Sequence, residues 1–202
     1  MPLVRKPSAP GPAAVAEGAG LAESLLRGTD EERWAAARNA FEVPDGLALL
    51  SEALSREHIP RVREAIFTAL AKIGTPEAAS AVLPHLRSDD AAQRTASLDA
   101  LRAMPAAAGR HLPQLLRDPD QDVRLLACEI ARGLAADDAG RELIALIERE
   151  QKANVCAAAV EVLAEIGTSS SLPALARCGA RFPDDPFLAF AVKAAADRIG
   201  SR

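Results

Sequence analysis

The side chains best suited to nucleophilic catalysis or transition-metal binding are His58, His85, His111, Cys128, Cys156 and Cys178, the whole stock of imidazoles and thiols in the chain. Their spacing argues against both. No two histidines share a helical turn, and there is no Cys-x-x-Cys and no His-Glu-x-x-His. A Gly-rich phosphate loop and a Gly-x-Ser-x-Gly elbow are also missing. Each histidine is followed by Ile or Leu, which sets it beside a core position and not in a ligand cluster. The odd set of thiols reads as small buried hydrophobes in a reducing cytoplasm. We therefore expect no catalytic residue, no metal ligand and no cofactor, and do not read the chain as an enzyme.

What recurs instead is arginine. Arg33, Arg63, Arg94 and Arg124 stand 30, 31 and 30 residues apart, each followed by small and aliphatic residues at helical spacing. Two other markers keep phase with them. Ile73-Gly74-Thr75, Ile166-Gly167-Thr168 and Ile199-Gly200-Ser201 close helical stretches, and Leu-Pro-x-Leu recurs at Leu83, Leu112 and Leu172. Self-similarity at one period is the mark of stacked repeats. The four arginines are expected to be structural, binding carboxylates and turn carbonyls through the planar guanidinium fork.

Composition agrees. Nearly half of the 202 residues are hydrophobic, yet aromatics are 3% and tyrosine is absent, so the apolar content is mostly Ala and Leu. That suits packed helices and not a β-sandwich. A formal net charge of -4 gives no attraction for phosphate backbones, so nucleic acid is not an expected partner. No apolar run is long enough for a membrane span, and Lys6 to Pro12 is too polar and proline-rich for the apolar stretch of a signal peptide. No membrane association is expected, and the cytoplasm is the expected location.

Residues 1–19 read as a flexible leader rich in Pro, Gly and Ala, with Pro7-Ser8-Ala9-Pro10 as an incidental PxxP. Residues 20–202 read as one domain of six helical hairpins, about 20–44, 45–74, 75–105, 106–135, 136–167 and 168–200. Thr29 or Asp30, then Asp45, are expected helix caps, and Thr75-Pro76-Glu77 is a strong helix start. The Leu-Pro prolines are expected inside first helices, bending them. The fold class is all-α, an α-solenoid of helical hairpins that bury their apolar faces only by stacking.

The run Leu112-Pro-Gln-Leu-Leu-Arg-Asp-Pro-Asp-Gln-Asp-Val-Arg124, with its Ala-rich continuation, resembles the short HEAT repeat, a type also seen in phycobilisome lyase subunits. The resemblance covers about 20–200. It implies that the repeated Asp and Arg hold neighbouring units together, and that second helices line a concave face. HEAT-type iron hydroxylases use His-Glu pairs, and no such dipeptide occurs here. Cys156 and Ala189 stand where repeats five and six should carry the arginine, which leaves the stacking register there open.

On that face the residue after each ladder position reads Trp34, Glu64, Thr95, Leu125, Ala157, Phe190. Four further on the row reads Arg38, Thr68, Asp99, Glu129, Glu161, Ala194. Both rows lie off the apolar stripe and should face out. Asp99, Glu129 and Glu161 would form an acidic stripe suited to a basic or amphipathic segment of another protein. Asp99 and Glu129 have Arg102 and Arg132 at i+3, while Glu161 and Glu165 have no such partner on their own helix. Phe187 and Phe190 add an apolar row to a terminal helix that should be polar. They either make a homodimer or partner contact or pack near Phe182. The expected role is a non-catalytic scaffold or adaptor; the alternative is a bilin lyase or chromophore-handling subunit.

Overall fold

The computed structural model describes residues 12–201, with side chains from residue 19 onward. All regular elements among them are helical. Contacts divide the chain at Ile73 and Gly74 into two compact units.

The first unit is two hairpins. Helices α1 (Pro12–Arg27) and α2 (Asp30–Asn39) form one, and α3 (Gly46–Arg56) and α4 (Pro60–Ile73) the other. Of the expected leader, 1–11 lies outside the described residues, while 12–19 is the start of α1. Thr29 caps α2 in a full capping box with Glu32, whose carboxylate accepts the Thr29 N–H at 2.7 Å. Asp45 precedes α3 but its side chain caps nothing. Gly46 packs its backbone against the Ala40 carbonyl, where a side chain would collide. Leu25, Leu50, Ile66 and Leu70 are fully buried at helical spacing and make the core.

The second unit holds four hairpins. They comprise α5 (Pro76–Val82), α6 (Ala91–Arg102), α7 (Pro105–Gly109), α8 (Leu112–Leu115), α9 (Gln121–Ala131), α10 (Ala136–Arg149), α11 (Ala153–Ile166), α12 (Leu172–Arg181) and α13 (Pro186–Gly200). Thr75, Asp90, Asp120 and Asp185 cap the helices that follow them. Leu101, Leu112, Leu116, Leu143, Leu146 and Ile147 are buried between the layers.

The prolines do not bend continuous helices as expected. Pro84 starts a 3-10 segment, and Pro113 and Pro173 open α8 and α12 from their first turns. A proline lacks the N–H that a helix interior needs but loses nothing at the first turn. The chain therefore breaks before each one and restarts on it. Gly74, between the units, has φ 65°, the one left-handed residue among those described, where a Cβ would be strained.

Candidate functional site

Three of the ladder arginines, Arg33, Arg94 and Arg124, bond inter-helix turns, through partners only half anticipated. Arg33 grips Glu57 with both forks (Nε 2.7 Å, Nη2 3.3 Å), binds the Gly28 carbonyl at 2.9 Å and meets Asp30 at 3.0 Å. Arg124 does the same with Glu150 (2.6 and 3.0 Å) and the Asp118 carbonyl (2.8 Å). Arg94 binds the Ser88 carbonyl at 2.6 Å, and Arg63 is half-buried at the matching position. Each carboxylate gripped lies in the inter-helix turn of the next hairpin, so the fork ties consecutive repeats.

These turns carry a row of their own. Glu57, Ser88, Asp118 and Glu150 each accept the N–H two residues on, from Ile59, Asp90, Asp120 and Lys152 at 2.8, 3.2, 3.0 and 3.0 Å. Glu57 and Glu150 are nearly buried. Burial alone would raise their carboxyls, but the arginine fork and two backbone N–H groups outweigh it. The net effect holds both below the usual carboxylate range.

A second arginine row stands just before that turn position: Arg27, Arg56, Arg87, Arg117, Arg149 and Arg181, spaced 29, 31, 30, 32 and 32 residues apart. It can be read in the sequence, but the first row hides it. Arg87 pairs with Asp118 of the next hairpin, and Arg149 reaches back to the Leu116 carbonyl at 2.9 Å. Arg181 binds the carbonyls of Ile147, Glu148 and Glu150 at the end of α10, where a cation meets the negative end of the helix dipole. Its guanidinium lies 4.0 Å from Cys156 Sγ. It thus binds the turn carbonyl that Arg33, Arg94 and Arg124 bind in their own repeats. The register holds where Cys156 replaces the ladder arginine.

Of the expected acidic stripe only Glu129 is closely paired. Arg132 pairs with Glu129 at 3.3 Å, approaches Glu161 at 4.0 Å and bonds Glu165 from the next hairpin. Glu161 and Glu165 have no partner on their own helix, and the cation that meets them, Arg132, comes from the neighbouring repeat. Asp99 is exposed and forms no ion pair with Arg102. In the first unit Trp34 is half-buried between the guanidiniums of Arg61 and Arg38, 4.1 and 4.6 Å from its ring centroid. Arg61 is also held by Glu31 at 2.8 Å. Glu64 and Thr68 are exposed, and the Thr68 hydroxyl donates to the Glu64 carbonyl at 2.9 Å.

The outward row is uneven as well. Leu125 is half-buried, and Ala157 is buried at 8%. Ala157 instead floors a groove of about 590 Å³ between α11 and α13. Its floor is alanine from both helices. Phe187 and Phe190 stand on its α13 side, each 71% exposed, and Glu161 and Arg198 on its rim. Of the predicted contact residues, this groove brings together Glu161, Phe187 and Phe190. Asp185 also lines it, but its carboxylate is committed to the Leu188 N–H at 2.9 Å.

All three thiols are free and buried. Burial pushes Cys128 up to about 12. Among the described residues no cluster of three His, Cys, Asp or Glu could hold a metal, and no helix is long and apolar enough to cross a membrane.

The family profile for HEAT repeats matches residues 19–102 and 110–196. Among solved structures, an archaeal HEAT-like repeats protein from Thermococcus onnurineus NA1 is similar. It shares 15% identity with a TM-score of 0.52, over 94% of this chain and 92% of that one. Human deoxyhypusine hydroxylase matches at 15% identity and TM-score 0.47, over 94% and 98% of the two chains. The CpcE–CpcF phycocyanin lyase complex of Nostoc sp. PCC7120 matches at 16% and 0.41, over 100% and 96%. No curated protein sequence matches the chain.

Proposed function

The chain belongs to the HEAT-repeat family, and from that premise we propose that it is a non-catalytic scaffold taking a protein partner on its second-helix face, with the α11–α13 groove as the seat. The observation that carries this reading is the pair Phe187 and Phe190, 71% exposed beside an alanine floor. Large aromatics left in water beside a concave apolar surface mark a contact region. The seat is built from two packed helices, so binding orders little of the protein. The lining is mainly alanine and phenylalanine, with Asp185, Glu161 and Arg198 as its charges, so the groove favours an apolar or amphipathic surface over a strongly charged one. Nothing in its lining favours the lyase alternative, since it includes no histidine or cysteine.

A photo-reactive amino acid at position 190, with one at exposed Asp99 as control, tests the reading. We expect a protein cross-link at 190 that disappears when Phe187 becomes Ala. Cross-linking no stronger than at the control position refutes the seat.

A further inference from the structure

We propose that Cys156 and Cys178 are a hydroperoxide-sensitive dithiol that closes into a disulfide between α11 and α12. Such a site needs no partner protein and does not depend on the groove.

Cys156, in the first turn of α11, and Cys178, on α12, come from consecutive hairpins, and their thiols are hydrogen-bonded to each other. Both residues are fully buried. Arg181 places them independently. It stands three residues after Cys178 on α12, and its guanidinium lies 4.0 Å from Cys156 Sγ. Residues three apart on a helix share a face. The face of α12 that carries Cys178 is therefore the one turned towards Cys156. The carbonyls of Ile147, Glu148 and Glu150 hold the guanidinium there. Cys128 differs: its Sγ donates to the Arg124 carbonyl of its own helix at 3.4 Å.

The surroundings give the two thiols different roles. The Cys156 S–H donates to Cys178. That bond, helped by the Arg181 cation, holds the Cys178 thiol below its usual range although burial pulls it up. Glu148 also opposes the shift, but its carboxylate is paired with Arg177. Cys156 is driven upward by the same bond and by burial. Cys178 is the attacking sulfur and Cys156 the resolving one.

The Cys178 thiolate attacks an oxygen of the hydroperoxide and the O–O bond breaks. The leaving oxygen takes up the proton that Cys178 gave up and departs as an alcohol, or as water from hydrogen peroxide. Cys178 is left as a sulfenic acid. The Cys156 sulfur then attacks the Cys178 sulfur, the S–O bond breaks, and the hydroxyl leaves as water with the Cys156 proton. Both thiols are oxidised to one disulfide and one peroxide bond is reduced. Full burial selects a small uncharged oxidant over a peptide-sized disulfide, and makes the reaction wait on local opening. The product would tie the fifth and sixth hairpins covalently beside the clasp that Arg181 already makes, until a thiol reductant reopened it.

The full chain, reduced and then exposed to hydrogen peroxide without denaturant, tests this. Alkylation under denaturing conditions quenches the reaction, and peptide mass mapping reads it. We expect a linked pair of peptides carrying Cys156 and Cys178, with Cys128 alkylated, and full reversal by dithiothreitol. Cys156→Ser should stop at a sulfenic acid on Cys178 that dimedone traps. Cys178→Ser should slow oxidation of Cys156 at least about tenfold, because the favoured sulfur is gone. The melt of each reduced variant verifies its fold, and the wild-type map decides the pairing whether or not a variant folds. No linked pair, a linked pair that forms only in urea, or three thiols oxidised at equal rates overturns the inference. So does a Cys156 rate unchanged in folded Cys178→Ser.

Discussion

Replacing Arg124 with Ala should be among the most damaging single changes to the repeat stack, and its cost follows from the contacts. Arg124 makes a two-pronged bond to Glu150 and two bonds to the carbonyls of Asp118 and Pro119. The partner side chains are 14% and 4% exposed, so water cannot replace what is lost. Removing one member of a buried pair costs about 3–5 kcal/mol when the other is left bare. Glu150 is not left bare, because the N–H groups of Gln151 and Lys152 still bond it at 2.9 and 3.0 Å. The expected loss is therefore about 2–4 kcal/mol, or on the order of 5–15 °C in the melting midpoint. Urea and thermal melts of Arg124→Ala, Glu150→Gln and the double variant would give the coupling between the two positions. We expect the double variant to be less damaged than the sum of the singles by at least about 1 kcal/mol. Arg124→Lys should fall between wild type and Ala, because it keeps the charge and loses the fork. A loss below about 1 kcal/mol, the range of an exposed pair, would refute the claim that the fork ties repeats four and five.

Acid should loosen the same ties. Glu57 and Glu150 titrate below their ordinary range in the folded chain, so their stabilisation is complete above about pH 4.3 and is lost as pH falls from there through their folded values. The melting midpoint should drop over that window, and more shallowly in Glu150→Gln. Arg177→Ala, which removes an exposed pair with Glu148, should leave the melting midpoint nearly unchanged. Gly74→Ala should destabilise by about 1–2 kcal/mol, since the position is left-handed. Cys128 should resist a thiol reagent at neutral pH until the chain is unfolded, because burial both shields it and keeps it protonated.

Most of the fold was readable in the sequence. Hairpin boundaries followed from the arginine period and the Ile-Gly stops, and Thr75-Pro76 began a helix because cap and first-turn proline agree locally. The misses share one physical origin: the deciding partner lay a full repeat away. Glu57 and Glu150 look like solvent-facing turn residues until an arginine 24 or 26 positions earlier reaches them. Arg132 meets Glu129, Glu161 and Glu165 across two hairpins, a bridge that i,i+3 spacing alone does not show. Trp34 seemed free for a partner because Arg61, which stacks on it, belongs to the next hairpin. Within the site, the aromatic row of α13 was visible from helical spacing. The groove beside it was not, since Ala157 looks the same in sequence whether it faces water or floors a cleft.

Arg181 also makes the fifth hairpin dependent on the sixth. Arg33, Arg94 and Arg124 clasp the turns of their own hairpins, but the fifth hairpin has Cys156 there and borrows its clasp from the sixth. Losing the sixth hairpin would therefore remove the guanidinium that holds the Glu150 carbonyl. Nominally equal modules thus differ in what they demand of a neighbour: the fifth takes from the sixth a donor that the first, third and fourth carry themselves.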